Sequence, residues 1–263
     1  MRSEAAATLA ADMLWPQWDV APRVRALMST RTGGVSQAPW DSLNLGLSVG
    51  DDPAAVAENR RRFVSLTGAQ PLWLRQVHGC NIVQASPALA VGEPPQADAA
   101  WTDQPGVACI VQVADCMPVL LAAPGGRAVA AAHAGWRGLA GGVVEAALTA
   151  LCAAAHCEPA QVSVWLGPCI GPRRFEVGVD VLQAFGQMPD RADPQRFAAS
   201  APSGGAPRWL ANLPQLARDR LAPAGVQRIS GGAWCTVADR SRFFSYRRDG
   251  ISGRLAAAIW IRC

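Results

Sequence analysis

Histidine is scarce in this 263-residue chain, which holds only His78, His133 and His156. That excludes centres built on many imidazoles. A multicopper oxidase, with one type-1 and three further coppers, is beyond the reach of three histidines. No run of 18 uncharged apolar residues exists either; the nearest, 106–124, carries Asp115 and two prolines. A membrane-spanning helix is therefore not expected. The alanine-rich N-terminus is interrupted by Glu4 and Asp12 and has no basic flank leading into a continuous apolar core. A signal peptide is not expected. Charge is sparse too, at 17% of residues, and 24 basic against 20 acidic side chains leave a net charge of +4. Such a surplus suits a small anionic ligand and leaves no nucleic-acid footprint. The basic clusters Arg60–Arg62 and Arg240, Arg242, Arg247, Arg248 have no accompanying aromatic stacking motif.

What is present is a large hydrophobic share, 50% of residues, with ten Trp and six Phe, alongside 25 Gly and 20 Pro. This is the composition of a loop-rich globular protein. Eight cysteines sit in apolar or motif-like contexts. A chain of this size needs no disulfide staples, so free thiols and a reducing, cytoplasmic location are expected.

Residues 23–28 alternate as a strand does, and Thr32-Gly33-Gly34 forces a turn. The stretch 41–46 has no clean period and reads as a structured loop. Asp51-Asp52-Pro53 is a helix start. The helix after it turns Val56, Phe63 and Leu66 inward and ends near Gly68. Strands are expected over 71–77, 81–85, 106–113, 119–122, 127–132, 162–166, 226–229 and 255–261, and helices over 139–154, 177–185 and 213–221. The stretch 86–100 reads as a long loop, and 188–208 as a loose segment. The mixture predicts a layered α/β fold in one domain, 21–263, with an N-terminal extension at 1–20 and a loop insertion at 188–208.

His78 and His133 each follow a strand-like apolar run, and Cys116 occupies a similar place after Val111–Asp115. Strand ends of this kind converge at one rim of a sheet, where sites gather. Zinc accepts a mixed nitrogen and thiolate set, and three protein ligands leave a fourth position open. The spacings, 38 residues from His78 to Cys116 and 17 more to His133, match no compact zinc-finger pattern. Two loop histidines and one buried cysteine are the competing reading. His156, beside Cys157, reads as a helix-end residue without a role.

Gln76-Val77-His78-Gly79, Ala114-Asp115-Cys116-Met117-Pro118-Val119 and His133-Ala134-Gly135-Trp136-Arg137-Gly138 resemble the three hallmark motifs of the laccase-domain, or polyphenol-oxidase-like, family. The likeness continues through Asn44-Leu45-Gly46, Gly50-Asp51-Asp52, Glu58-Asn59-Arg60, Gly167–Gly171, Cys235-Thr236, Phe244–Arg248 and Gly253-Arg254. The family has been reinterpreted as purine nucleoside phosphorylases with adenosine deaminase activity. The resemblance implies zinc on His78, Cys116 and His133, with copper able to enter in vitro, and a single-domain α/β/β/α sandwich of mixed sheets. It also implies purine nucleosides and inorganic phosphate as partners: adenosine, inosine and, as a further candidate, S-methyl-5′-thioadenosine.

Arginine forks suit phosphate. Arg31, Arg60 and Arg137 are candidates for it and Asn44 for substrate, although each equally reads as bracing its own loop. Cys169, after the strand 162–166, is either a catalytic group in the cleft or a buried thiol. Asp115 reads as a support for its neighbour Cys116, and Trp136 and Phe244 offer surfaces for a purine. Two other functions compete. One is a metal-dependent or cysteine hydrolase with a peptidoglycan-editing role, in which Cys116 is a nucleophile with a histidine base. The other is phenol oxidation at a single copper. No nucleic-acid or membrane partner is expected, and the protein is expected as a monomer or small homo-oligomer.

Overall fold

The computed structural model describes residues 4–200 and 206–263, of residues 4–6 the backbone alone. Among them run thirteen strands: β1 (Val24–Met28), β2 (Gln70–Leu72), β3 (Ile82–Gln84), β4 (Ala99–Thr102), β5 (Val107–Val113), β6 (Met117–Ala122), β7 (Val129–Ala134), β8 (Ser163–Leu166), β9 (Glu176–Val177), β10 (Phe197–Ala199), β11 (Trp209–Ala211), β12 (Arg228–Gly231) and β13 (Leu255–Ile261). The helices are α1 (Glu4–Asp12), α2 (Pro53–Ser65), α3 (Pro87–Ala90), α4 (Trp136–Gly141), α5 (Val143–Ala155), α6 (Val179–Ala184), α7 (Leu213–Leu221) and α8 (Tyr246–Asp249).

Two mixed sheets form the middle of the molecule, with orders β1-β13-β5-β2 and β12-β8-β6-β7-β4-β3; β10-β11-β9 is a small third sheet. Strand alternation explains how they stack. Val107, Cys109, Val111 and Val113 of β5, with Leu255, Ala257, Ile259 and Ile261 of β13, meet Leu120, Ala122, Val129 and Ala131 of the larger sheet in one core. The alternate residues of β5 and β13, Ala108, Ile110, Ala256, Ala258 and Trp260, turn the other way against Leu9 of α1 and Phe63 of α2. On the opposite side, Met117, Val119, Leu121, Ala130 and Ala132 pack under Val144, Leu148 and Leu151 of α5 and Leu216 of α7. Strands buried on both faces explain why these segments read as near-continuous apolar runs. The α/β/β/α layering is as the motifs implied.

Local chemistry sets the element ends. The Asp52 side chain accepts from Ala54 N–H, with Pro53 in the first turn. The single helix expected over 139–154 is instead α4 and α5, broken at Gly142, whose φ of 98° only glycine adopts readily. The strand expected over 71–77 stops at Leu72, and the end of the loop expected over 86–100 is already β4. The segment 188–208, expected to be irregular, holds β10, which pairs with β11; its residues 201–205 lie outside the described ones. In the stretch read as an N-terminal extension, Leu9 and Met13 are buried in the outer core. No helix among the described residues is long and apolar enough to cross a membrane.

Candidate metal centre

The inward-facing row of β7 runs Val129, Ala131, His133. At its end the apolar core gives way to a cavity of about 990 Å³, and His133 stands at that boundary. Cys116 arrives from the turn before β6, where Asp115 takes a φ of 85°. His78 comes from the chain after β2, itself at a φ of 61°. Both left-handed residues are non-glycine and sit beside the site, the kind of local strain that surrounding contacts must hold in place.

The ligand atoms of His78, Cys116 and His133 lie within 4.8 Å of one another. Cys116 Sγ is 3.7 Å from His78 Nε2, and the two imidazoles meet edge to face at 4.8 Å between centroids. Tetrahedral zinc with bonds of about 2.3 Å to sulfur and about 2.0 Å to nitrogen separates such atoms by about 3.5 Å. The donor set therefore fits zinc after small ring movements. Only glycine fits beside it, since a Cβ on Gly135 would come 2.9 Å from Cys116 Sγ and 3.1 Å from His78 Cδ2.

One carboxylate, which the sequence reading did not single out, organises two of the three ligands. Asp98 is fully buried. Its oxygens accept the successive N–H groups of Val77, His78 and Gly79 at 3.2, 2.9 and 2.8 Å. Its Oδ1 also lies 2.8 Å from His133 Nδ1. With Nδ1 so engaged, Nε2 is the nitrogen His133 has to offer, the carboxylate–histidine arrangement common around zinc. Burial alone would push the Asp98 carboxyl up; His133 and the backbone N–H groups outweigh it and hold it below the usual range. Burial likewise raises the Cys116 thiol, but His133 and His78 prevail and lower it to about 6. Burial would lower His133, yet Cys116 and Asp98 raise it to about 9. These shifts favour a Cys116 thiolate beside a protonated His133; a cation takes the thiolate as it stands and displaces the proton from His133.

Of the other expected site residues, Arg60 and Arg137 line the cavity, and so does Trp136. Arg60 stacks 4.0 Å from the centroid of Trp73, and Arg137 lies 4.3 Å from that of Trp136. Two side chains expected to touch substrate instead brace the fold. Arg31 donates to Asp41 and to the Arg240 carbonyl and covers Phe244. Asn44 is fully buried and bonds Gly46, Asp51 and the Arg254 N–H. Neither lines the cavity. Cys169 is fully buried, its thiol pushed up by burial, and it too lies outside the cavity lining. Phe244 is in the core rather than at the cavity. Asp115 lies in the lining but its carboxylate is engaged by Thr236 Oγ1 and the Arg247 N–H, at 2.5 and 2.6 Å, which ties the 236–247 loop to the Cys116 turn. The sequence reading missed Arg75 and Arg254 in the lining; Arg254 stood inside a family-like motif, which was the available signal.

A family model described as multi-copper polyphenol oxidoreductase laccase matches residues 25–262. The chain belongs to this family. Relatives similar to it carry a different activity in their names. A purine nucleoside phosphorylase of Pseudomonas aeruginosa is 48% identical over 249 residues, 95% of this chain and 98% of that protein. The purine nucleoside phosphorylase YfiH of Escherichia coli is 46% identical, covering 95% of this chain and 98% of its own length. Among solved structures, a Neisseria meningitidis protein superposes with a TM-score of 0.87 at 44% identity, covering 96% of this chain and all of its own. YlmD from Geobacillus stearothermophilus gives 0.83 at 31% identity, over 95% and 100%. Homology to this laccase and phosphorylase family, with a candidate metal triad in a cavity, marks the chain as an enzyme.

Proposed function

We propose that the protein is a zinc-dependent purine nucleoside phosphorylase acting on adenosine, inosine and S-methyl-5′-thioadenosine, with adenosine deaminase as a side activity. The observation that carries this reading is the convergence of His78, Cys116 and His133 on an arginine-lined cavity. His78, Cys116 and His133 would hold the zinc, which would supply a Lewis acid in the cavity. Phosphorolysis joins a phosphate oxygen to the ribose C1′ while the purine departs with the electron pair of the glycosidic bond and then takes a proton. Arg60 and Arg137 are among the cavity arginines that hold and neutralise the phosphate, and Trp136 offers a face to the purine. Asp98 keeps His133 in one orientation. Deamination replaces the exocyclic amine on carbon 6 of adenine by water's oxygen in the same cavity, the amine leaving as ammonia.

Multicopper phenol oxidation, the chemistry in the family's description, meets the same obstacle as in the sequence. His156 caps the far end of α5, leaving two imidazoles at the cavity. A cysteine hydrolase is the second reading, favoured by the lowered Cys116 thiol beside His133.

The test is release of free base from inosine and adenosine by the zinc-loaded protein, with and without inorganic phosphate and after chelation. Phosphate-dependent release that stops on chelation is expected. Release without phosphate replaces the phosphorylase by a nucleoside hydrolase. Turnover that survives complete loss of metal removes the zinc mechanism and favours the cysteine nucleophile.

A further inference from the structure

Every basic side chain in this protein is an arginine; the 24 include no lysine. Two groups among them contrast. Among the described residues, Arg31, Arg61, Arg62, Arg196, Arg220, Arg240, Arg242 and Arg248 are ion-paired with carboxylates. The five that line the cavity, Arg60, Arg75, Arg137, Arg247 and Arg254, form no such pair. Of the two carboxylates in the lining, Glu93 and Asp115, the second is already engaged by Thr236 and the Arg247 N–H.

Arg60 and Arg254 stand out within this set because the Leu45 backbone links the Arg60 side chain to the Arg254 main chain. Arg60 Nε donates to the Leu45 carbonyl at 2.8 Å, and Leu45 N–H donates to the Arg254 carbonyl at 3.0 Å. Next along the chain, Gly46 lies against Arg254, where a Cβ would meet the arginine Cγ at 2.6 Å. Asn44 closes the arrangement, its Oδ1 accepting from both Gly46 N–H and Arg254 N–H at 2.9 and 2.8 Å. Arg254 spends one terminal nitrogen on the Ser252 and Gly253 carbonyls, while the remaining nitrogens of both forks have no protein acceptor among the described residues.

Both guanidinium groups are half-buried. Burial lowers Arg60 to about 10, with no anion opposing it. Arg254 is lowered by burial too, and Cys116 and Asp115 are the neighbours pulling the other way. Arg60 and Arg254 line the same cavity as His78, Cys116 and His133. Two partly desolvated cations with free donors are unfavourable until an anion arrives.

We infer that Arg60 and Arg254 form a paired fork for a phosphate oxyanion beside the metal centre, with Asn44 and Gly46 as positioning residues that fix the pair. The inference rests on the phosphorylase reading above and identifies where its phosphate sits. A phosphate has enough oxygens to accept from two forks at once, which a carboxylate does less well.

The test uses Arg60→Gln, Arg254→Gln and Gly46→Ala in the zinc-loaded enzyme, with Arg61→Gln, one residue along α2 and exposed, as control. Each variant is first checked for an unchanged melting profile. Arg60→Lys, which keeps the charge and loses the fork, serves where a glutamine variant does not fold. The KM for inorganic phosphate is expected to rise about tenfold or more, the loss of a charge-assisted hydrogen bond, while the KM for inosine moves less than about twofold. Phosphate-dependent base release with an unchanged phosphate KM overturns the fork and leaves the phosphorylase standing. If no nucleoside turns over, yet phosphate raises the melting temperature of the native protein and not of the glutamine variants, the fork stands and the phosphorylase falls. Variants that lose inosine 5′-monophosphate but still bind free phosphate overturn the fork as a site for the inorganic ion.

Discussion

Two buried polar clusters lie at the edges of this sandwich, and they differ in what they leave undone. Around Asn59, every group is satisfied within the protein. Its Oδ1 accepts Val35 N–H, and its Nδ2 donates to Ser36 Oγ and the carbonyls of Ser42 and Asn44. Ser36 in turn donates to Asp51 at 2.6 Å, as does Asn44 at 2.8 Å. Around Asp98, by contrast, the carboxylate is fully engaged, but the two histidines it orients meet only each other and Cys116 Sγ, and all three side chains face the cavity. The first cluster is a closed network that fixes loops. The second is a scaffold that holds reactive atoms out of internal use, which is what a metal site needs.

Substitutions sharpen that contrast. The largest effect belongs to Cys116→Ala, which removes a ligand. Zinc content by elemental analysis and phosphate-dependent base release both fall to the level of the metal-stripped protein, while the urea unfolding slope is unchanged. Retained zinc with lost turnover would move Cys116 from ligand to nucleophile. Asn59→Ala does the opposite. It leaves Val35 N–H and several acceptors unpaired in a buried site, costing about 3 kcal/mol by urea unfolding, with one zinc still bound per folded chain. Loss of zinc in that variant would merge the two clusters into one cooperative unit.

A smaller effect is expected from Asp98→Asn, in which an amide NH2 faces backbone N–H donors and the hold on His133 is weakened. Zinc affinity by chelator competition falls about 10–100-fold, and turnover returns at saturating zinc. Unchanged affinity would reduce Asp98 to a loop brace. The smallest is Ser36→Ala, which removes one hydrogen bond to Asp51 and one acceptor for Asn59. About 1 kcal/mol of stability is lost, with zinc affinity and phosphate KM untouched.

The difference between the clusters also explains what could be read from the sequence. Strands such as β5 and β13 were legible because they are buried on both faces and are apolar but for Gln112 of β5. The start of α2 was legible from Asp52-Pro53, since a cap is a local interaction. The three ligands were legible through the motifs that carry the family resemblance, although β2 stops at Leu72, short of His78. Asp98 was not, because its function arises only when β4 brings it under both Val77–Gly79 and His133, contacts separated by 19 to 35 positions. Asn44 and Arg31 carried the right chemistry for substrate, but their partners, Asp51 and Arg254 for one and Asp41 and Arg240 for the other, are chosen by loop closure. Arg60 and Arg254 are joined by Leu45 across about 200 positions of chain, a spacing with no sequence signature.

Zinc-edge X-ray absorption on the purified protein tests the central claim most directly. One sulfur at about 2.3 Å and two imidazole nitrogens at about 2.0 Å, with a light-atom ligand completing four, is the predicted shell. A shell without sulfur, or with two or more sulfurs, would contradict the centre built from His78, Cys116 and His133.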